Sequence, residues 1–237
     1  MICAIMQPTY LPWPGYFNII SKSDIFVFLD DAQFQKNSWH NRNRILVNED
    51  VHWITVPVRH HSLQQKINKT EILNTQMWRK KHGRTLRQTY SKHPFFGDIM
   101  SIIELIEKGE FSNLSKLNME IILLCLSKMN IKTEVYLSSD SNLGGERTDK
   151  LINILEFYGV QTYLSPEGAL EYLEHDNFTK LTGVKLVTQS FFPSIYKQSG
   201  SINFHSYLSI VDVVANIGWK CARLYVDGDY VDGDYII

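Results

Sequence analysis

No hydrophobic run in this sequence approaches the roughly 18 residues a membrane-crossing helix requires. The longest, Ile121–Leu126 and Ile25–Leu29, are only long enough for core elements. The start, Met1-Ile2-Cys3-Ala4, has no basic lead and no long apolar stretch before a small-residue cleavage site, so no secretory signal is expected. Cysteine is scarce. Cys3, Cys125 and Cys221 are odd in number and far apart, which excludes a disulfide framework and a paired-cysteine metal or redox site. These absences point to a cytoplasmic protein whose thiols are free and structural. A large charge of one sign is missing too, since the net charge over 237 residues is −1. That argues against a general polyanion binder.

Several catalytic and metal signatures are also missing. No Gly-x-Ser-x-Gly elbow or serine–histidine–aspartate order occurs. Gly144, Gly145 and Arg147 precede a helical stretch but lack the spacing and Lys-Ser/Thr pair of a P-loop. His60 and His61 are adjacent and would point opposite ways on a strand, so they make no zinc site. The repeated Val-Asp-Gly-Asp-Tyr of residues 226–230 and 231–235 has no glutamate at the twelfth position of a calcium loop. Residues 226–237 read as a flexible acidic tail. No metal is expected, and no cofactor is specified.

The near-zero net charge conceals an asymmetry. Between Lys36 and His93 stand 12 Lys/Arg against 3 acidic residues, and the rest of the chain holds 12 basic and 22 acidic. Six of the 8 histidines fall in the same span. The chain is a basic insert in an acidic frame.

Patterning around the insert alternates between strands and helices. Ile2–Met6 and Ile25–Leu29 are short apolar strands separated by a proline- and aromatic-rich loop and a short helix at Tyr16–Lys22. This predicts a βαβ unit. Trp39–Val47 and His52–Val58 predict a hairpin turning near Asn48-Glu49-Asp50. Helices are expected over 74–91, 94–107 and 114–129. The remainder returns to alternation: strand Thr133–Leu137, helix Thr148–Tyr158 capped by Thr148, strand Thr162–Leu164, helix Pro166–Leu173, strand Lys185–Ser190, and a helix capped by Ser206 and ended by Gly218. The expected fold is α/β: one domain over residues 1–237, with a mainly parallel Rossmann-like (nucleotidylyltransferase-like) sheet and an inserted basic hairpin and helices at 36–93.

Parallel sheets place ligands beyond the carboxyl ends of their strands. Gln7 and Asp30 end the first two strands, so Gln7 is a candidate for reading a hydroxyl or amide and Asp30 for a general base. Gln33 and Lys36 follow Asp30. Trp13-Pro14-Gly15-Tyr16 resembles in position the His-x-Gly-His motif of nucleotidylyltransferase-like proteins, with both histidines replaced by aromatics. Gly15 would allow close backbone approach, and Tyr10, Trp13 and Tyr16 would line the ligand or pack the loop. On the hairpin, alternation puts Arg42 and Arg44 on one face and Asn41 and Asn43 on the other, so one face suits a diphosphate. Lys80, Arg84 and Arg87 share a helix side, next to Lys81 and to His82, a candidate acid/base. Ser138-Ser139 follows another strand, and Tyr90, Tyr196, Gln198 and Asp212 could close over a substrate.

The strings Gln7-Pro8-x-Tyr10-Leu11-Pro12-Trp13-x-Gly15-Tyr16-Phe17, Asp24-x-Phe26-Val27-x-Leu29-Asp30-x-x-Gln33-Phe34-x-Lys36, Asn41-Arg42 and Trp53-x-Thr55-Val56-Pro57-Val58 resemble the WbqC-like family. Lys81-His82, Tyr90, Pro94-Phe95-Phe96, Ser138-Ser139, Tyr163-Leu164-Ser165, Tyr196-x-Gln198 and Ser209-Ile210-Val211-Asp212 extend the likeness to about residue 218. The resemblance implies a place in bacterial O-antigen and other surface-polysaccharide biosynthesis (lipopolysaccharide among them). It leaves the terminal repeat outside the shared pattern.

The expected function is a transferase that moves a small group, acyl or aminoacyl, onto a nucleotide-linked amino sugar. Asp30 and His82 would face the reacting centre. The other reading is a non-catalytic sugar- or partner-binding protein of the same pathway. The expected partner is a phosphorylated small molecule, a nucleotide sugar; a nucleic-acid role for the insert and its tryptophans fits the acidic frame poorly.

Overall fold

In the computed structural model, which describes residues 1–75 and 77–233, β1 (Ile2–Met6) passes through a buried loop into α1 (Pro14–Ser21) and then β2 (Ile25–Phe28). Pro14 stands at the start of α1, where its missing N–H is no loss. The hairpin β3 (Arg42–Val47) and β4 (Asp50–Thr55) turns at Asn48 and Glu49, both left-handed with φ of 50° and 68°. Such a turn matches the natural twist of paired strands. Next come α2 (Trp78–Tyr90), α3 (Phe96–Lys108) and α4 (Leu114–Lys128). Asn113 caps α4 by accepting from the Lys116 amide at 3.1 Å. The chain continues through β5 (Glu134–Leu137), α5 (Arg147–Phe157), β6 (Thr162–Ser165), α6 (Leu170–His175), α7 (Phe178–Leu181), β7 (Lys185–Thr188) and α8 (Ile210–Asp227).

This is a mixed α/β protein with a five-stranded parallel sheet, ordered β5-β2-β1-β6-β7, and eight α-helices among the described residues. The strands are apolar almost throughout because both sheet faces are covered. Side chains alternate between two cores. Ala4, Phe26 and Phe28 join α1, α3, α4 and α8 on one side. Cys3, Ile5, Ile25 and Val27 join Leu151, Ile154 and Leu155 of α5, Leu173 of α6 and Phe178 of α7 on the other. The hairpin and the three helices α2–α4 occupy the long connection between β2 and β5, and α3 packs on α8.

Several expected boundaries move. The cap of α8 is Ser209, whose hydroxyl accepts from the Val211 amide at 3.3 Å, rather than Ser206. Thr148 lies inside α5 and donates its hydroxyl to Asp176 at 2.6 Å; the cap residue is Glu146. The helix expected from Pro166 starts as a 3₁₀ turn at Glu167–Ala169. The flexible acidic tail is corrected as well. Val226 belongs to α8, and Tyr230 is buried with its ring 5.6 Å from Tyr225, because these two apolar side chains join the core, while Val231 stays exposed. Asp234 to Ile237 lie outside the described residues.

Gly218 breaks α8 instead of ending it, with φ 71° and ψ 168°. A Cβ there would stand 2.7 Å from the Phe95 ring. Gly218→Ala combines left-handed strain with this clash and is expected to destabilise by about 1–3 kcal/mol. A urea midpoint unchanged in that variant would contradict this account.

Candidate functional site

The loop between β1 and α1 is the centre of the site region, and its backbone is held from every side. Asn118 of α4 donates to the Pro8 carbonyl at 3.1 Å and to that of His40 at 2.8 Å. Asn43 of β3 donates to the Tyr10 carbonyl at 3.1 Å. The Ile210 amide of α8 donates to Pro12 at 2.8 Å, and Tyr16 donates its hydroxyl to Gln7 at 3.0 Å. Gln189, just beyond β7, donates to the Gly15 carbonyl at 2.7 Å and to Asn18 at 2.8 Å.

The acidic pair at the end of β2 meets the serine pair at the end of β5, as neighbouring parallel strands require. Asp30 accepts from the Ser139 amide at 3.1 Å, the Ser139 hydroxyl at 2.8 Å and Asn68 at 3.1 Å. Ser138 donates to Asp31, which also takes the Lys150 ammonium at 2.9 Å. Burial opposes ionisation of Asp31, but Ser138 and Lys150 outweigh it and hold its carboxyl below the ordinary range. Asp30, 3% exposed with both oxygens engaged, tethers the loops after β2 and β5 to each other.

His82 is enclosed more tightly still. It is 6% exposed. Its Nε2 lies 3.1 Å from the Thr55 carbonyl, which can only accept, so Nε2 carries the proton and Nδ1 accepts from the Tyr10 hydroxyl at 2.9 Å. Burial lowers its pKa to about 4. With both nitrogens engaged, His82 is a neutral packing histidine, and Tyr10 is its partner. Lys81, its neighbour on α2, is exposed to solvent. Of the basic face on α2, Arg87 is paired with Glu107.

Gly15 is likewise turned to internal use. A Cβ on it would stand 2.1 Å from the Trp13 indole, so the glycine makes room for that ring. Tyr16 is buried. A second polar cluster forms around Asp212 of α8. Tyr90 donates to it at 3.1 Å, Tyr196 at 2.7 Å and Gln198 at 3.1 Å. Burial pushes the Asp212 carboxyl above its ordinary range against these hydrogen bonds. Tyr90, Tyr196 and Gln198 are brought together on Asp212. Tyr196 and Gln198 pin the irregular 189–209 segment to α8, and Tyr90 ties α2 to it. Gln33 donates to the Leu63 carbonyl at 2.6 Å, and Lys36 is exposed.

The hairpin behaves as its alternation predicts. Asn41 and Asn43 face inward, and Asn41 donates to the Val56 carbonyl at 3.0 Å. Arg42 and Arg44 lie on the other face with Trp39 and Trp53, which are 44% and 46% exposed. The Arg42 guanidinium sits 4.1 Å above the Trp53 ring and that of Arg44 5.4 Å above Trp39, while the two indoles are 5.2 Å apart. Arg44 donates to the Tyr207 carbonyl at 2.9 Å, and the Tyr207 ring is 5.2 Å from Trp13. A continuous aromatic–arginine surface thus runs from the hairpin to the start of α1. Among the described residues, the buried Nε of Arg42 has no hydrogen-bond acceptor, and neither has that of Arg44. The sequence flags Trp39 and Trp53 only by type, and nothing local in it marks Tyr207, Asn68, Asn118 or Lys150.

The sequence profile of the WbqC-like protein family matches residues 7–223, which span the loop, the hairpin and the Asp212 cluster. The chain belongs to the WbqC-like family. An uncharacterized protein of Mycobacterium tuberculosis, Rv1507c, is 33% identical over 221 residues, covering 91% of this chain and 93% of that one. No solved structure matches. The family match therefore embraces both the buried polar network and the exposed aromatic–arginine face. Among the described residues no helix is long and apolar enough to cross a membrane, and no group of three or more histidines, cysteines or acids is placed to hold a metal.

Burial makes the histidines a pH device for stability. His82 and His40 both have folded pKa values of about 4 against an ordinary 6.5. The folded state binds fewer protons in that window, so stability is fully present above pH 6.5 and is lost as pH falls toward 4. Between pH 7 and pH 5 the loss is on the order of 1–2 kcal/mol per histidine. Urea unfolding at the two pH values reads the total, and an NMR titration in which both rings protonate near their ordinary pKa overturns the assignment.

Proposed function

We propose that this protein acts in bacterial surface-polysaccharide biosynthesis, binding a nucleotide-linked amino sugar across the hairpin face and transferring a small acyl or aminoacyl group onto it. The order of the parallel strands, with the first strand central, supports a Rossmann-like reading of the sheet. The observation that carries the binding half is Arg42, stacked on Trp53 without an acceptor and beside Arg44. Stacking holds a guanidinium in place while leaving its in-plane donors for phosphate oxygens. Half-open indoles beside them offer flat apolar surface to a base or a sugar ring. The pathway and the transfer rest on the family's association with surface polysaccharides.

A second reading, a binder of the same ligand without chemistry, is favoured by the engagement of Asp30 and His82. Arg42→Ala separates the two halves of the idea. No side-chain hydrogen bond of Arg42 is found among the described residues, and its backbone pairing with Thr55 does not need the side chain, so the variant is expected to fold, as circular dichroism will show. Its affinity for UDP and UDP-N-acetylglucosamine, measured by calorimetry, is expected to fall about tenfold or more, the range of a charge-assisted hydrogen bond. Equal affinity in Arg42→Ala and Trp53→Ala would remove the hairpin face from the site. Product formation from a sugar amine and an activated acyl donor would then decide against the pure binder.

A further inference from the structure

A second recess lies apart from the hairpin, between the ends of α1 and α8 and the strand-like segment after β7. It is a cavity of about 280 Å3 lined by Asn18, Lys22, Leu164, Gln189, Ser190, Phe191, Phe192, Ser194, Asp227 and Gly228. None of these residues belongs to the arginine–tryptophan face. At about 30 Å3 per water-sized group, a space of 280 Å3 takes on the order of nine non-hydrogen atoms.

The lining has three chemically distinct parts. The first is cationic: Lys22, exposed at the end of α1, forms no ion pair among the described residues, although its backbone amide closes the helix on Asn18 and Ile20. An unpaired ammonium beside a cavity suits a carboxylate. The second is anionic. Asp227 is ion-paired with the Arg223 Nε at 2.6 Å through one oxygen, and its other oxygen has no partner among the described residues. Both α1 and α8 end at this recess, the latter at Gly228 with φ 86°. The carboxyl end of α8 carries partial negative charge, so with Asp227 it favours an ammonium, away from Lys22 at the end of α1. The third part is apolar, from Leu164, Phe191 and Phe192. Phe192 is 76% exposed and stands at the rim.

The walls are rigid. Asn18 donates to the Val226 carbonyl at 2.7 Å, and Gln189 is anchored on α1 by its two hydrogen bonds. Tyr225 donates to the Ser194 carbonyl at 2.9 Å. A preformed recess loses little on binding.

A group that answers all three parts carries a carboxylate, an ammonium and an apolar chain within about nine atoms. We propose that this cavity binds a free α-amino acid with an apolar side chain, its carboxylate on Lys22, its ammonium toward Asp227 and the end of α8, and its side chain against Phe191 and Phe192. The proposal concerns binding alone and uses none of the residues on which the nucleotide-sugar reading rests.

Calorimetric titration with L-leucine tests it, with isoamylamine and 4-methylpentanoate as probes that lack the carboxylate or the ammonium. L-leucine is expected to bind saturably, and each truncated probe at least about tenfold more weakly. Lys22→Ala should bring L-leucine down to the level of isoamylamine while leaving isoamylamine unchanged. Phe192→Ala, an exposed position that cannot compromise the core, should weaken both. Arg42→Ala should leave leucine binding untouched, so failure at the hairpin and failure here are read separately. Absence of saturable binding of L-leucine and L-phenylalanine up to about 10 mM, or wild-type leucine affinity in Lys22→Ala, overturns the proposal.

Discussion

A loop buried beside a parallel sheet must find hydrogen-bond partners for its own backbone, and in this protein that requirement falls on residues 7–15. Pro8, Tyr10, Leu11 and Pro12 are buried, and the two prolines supply no N–H of their own. The carbonyls are met by Asn118 of α4, Asn43 of the hairpin, Ile210 of α8 and Gln189 after β7. Four segments far apart in sequence are thereby fastened to one loop. The hairpin, the helical insert and the last helix could not shift independently without stranding a buried carbonyl, which costs about 1–3 kcal/mol each time.

That arrangement explains why so many polar residues of the family pattern point inward. Tyr10 and His82, Asn41, and the group around Asp212 serve hydrogen bonds inside the protein, as does Asn43 outside that pattern. Each is a short-range solution to burying polar backbone or a carboxylate, and each crosses between elements. Holding them in place leaves the outer face of the hairpin as the exposed chemistry. There Arg42 and Arg44 rest on Trp53 and Trp39, ordered by stacking rather than by ion pairs.

The charge asymmetry acquires a different meaning in three dimensions. The basic span from Lys36 to His93 does not gather into one patch. Arg87 is neutralised by Glu107, Arg59 lies 3.8 Å from Glu71, and Arg79 is directed to backbone carbonyls of Ile106 and Phe111. Lys80, Lys81 and Arg84 face solvent. The two arginines on the hairpin lie over half-exposed indoles, whereas Arg79 lies over the buried Trp78. The histidines of the span divide as well, since His40 and His82 are buried and neutral while His52, His60 and His61 are exposed.

The sequence by itself determined the parts that depend on local pattern. Apolar runs bounded by turn residues marked the strands, the 3.6-residue period marked the insert helices, and period-two alternation assigned Arg42 and Arg44 to one face and Asn41 and Asn43 to the other. It also placed Asp30 and Ser138-Ser139 at strand ends, and only the fold makes those two strands neighbours. What only the tertiary structure decided is which polar groups are free. Whether Asp30 is a base or a tether depends on Ser139 and Asn68, 109 and 38 residues away. Whether His82 can exchange protons depends on Tyr10 and Thr55 closing over it. Availability of a side chain is a property of desolvation and of partners brought in by long-range folding, and no local spacing encodes it.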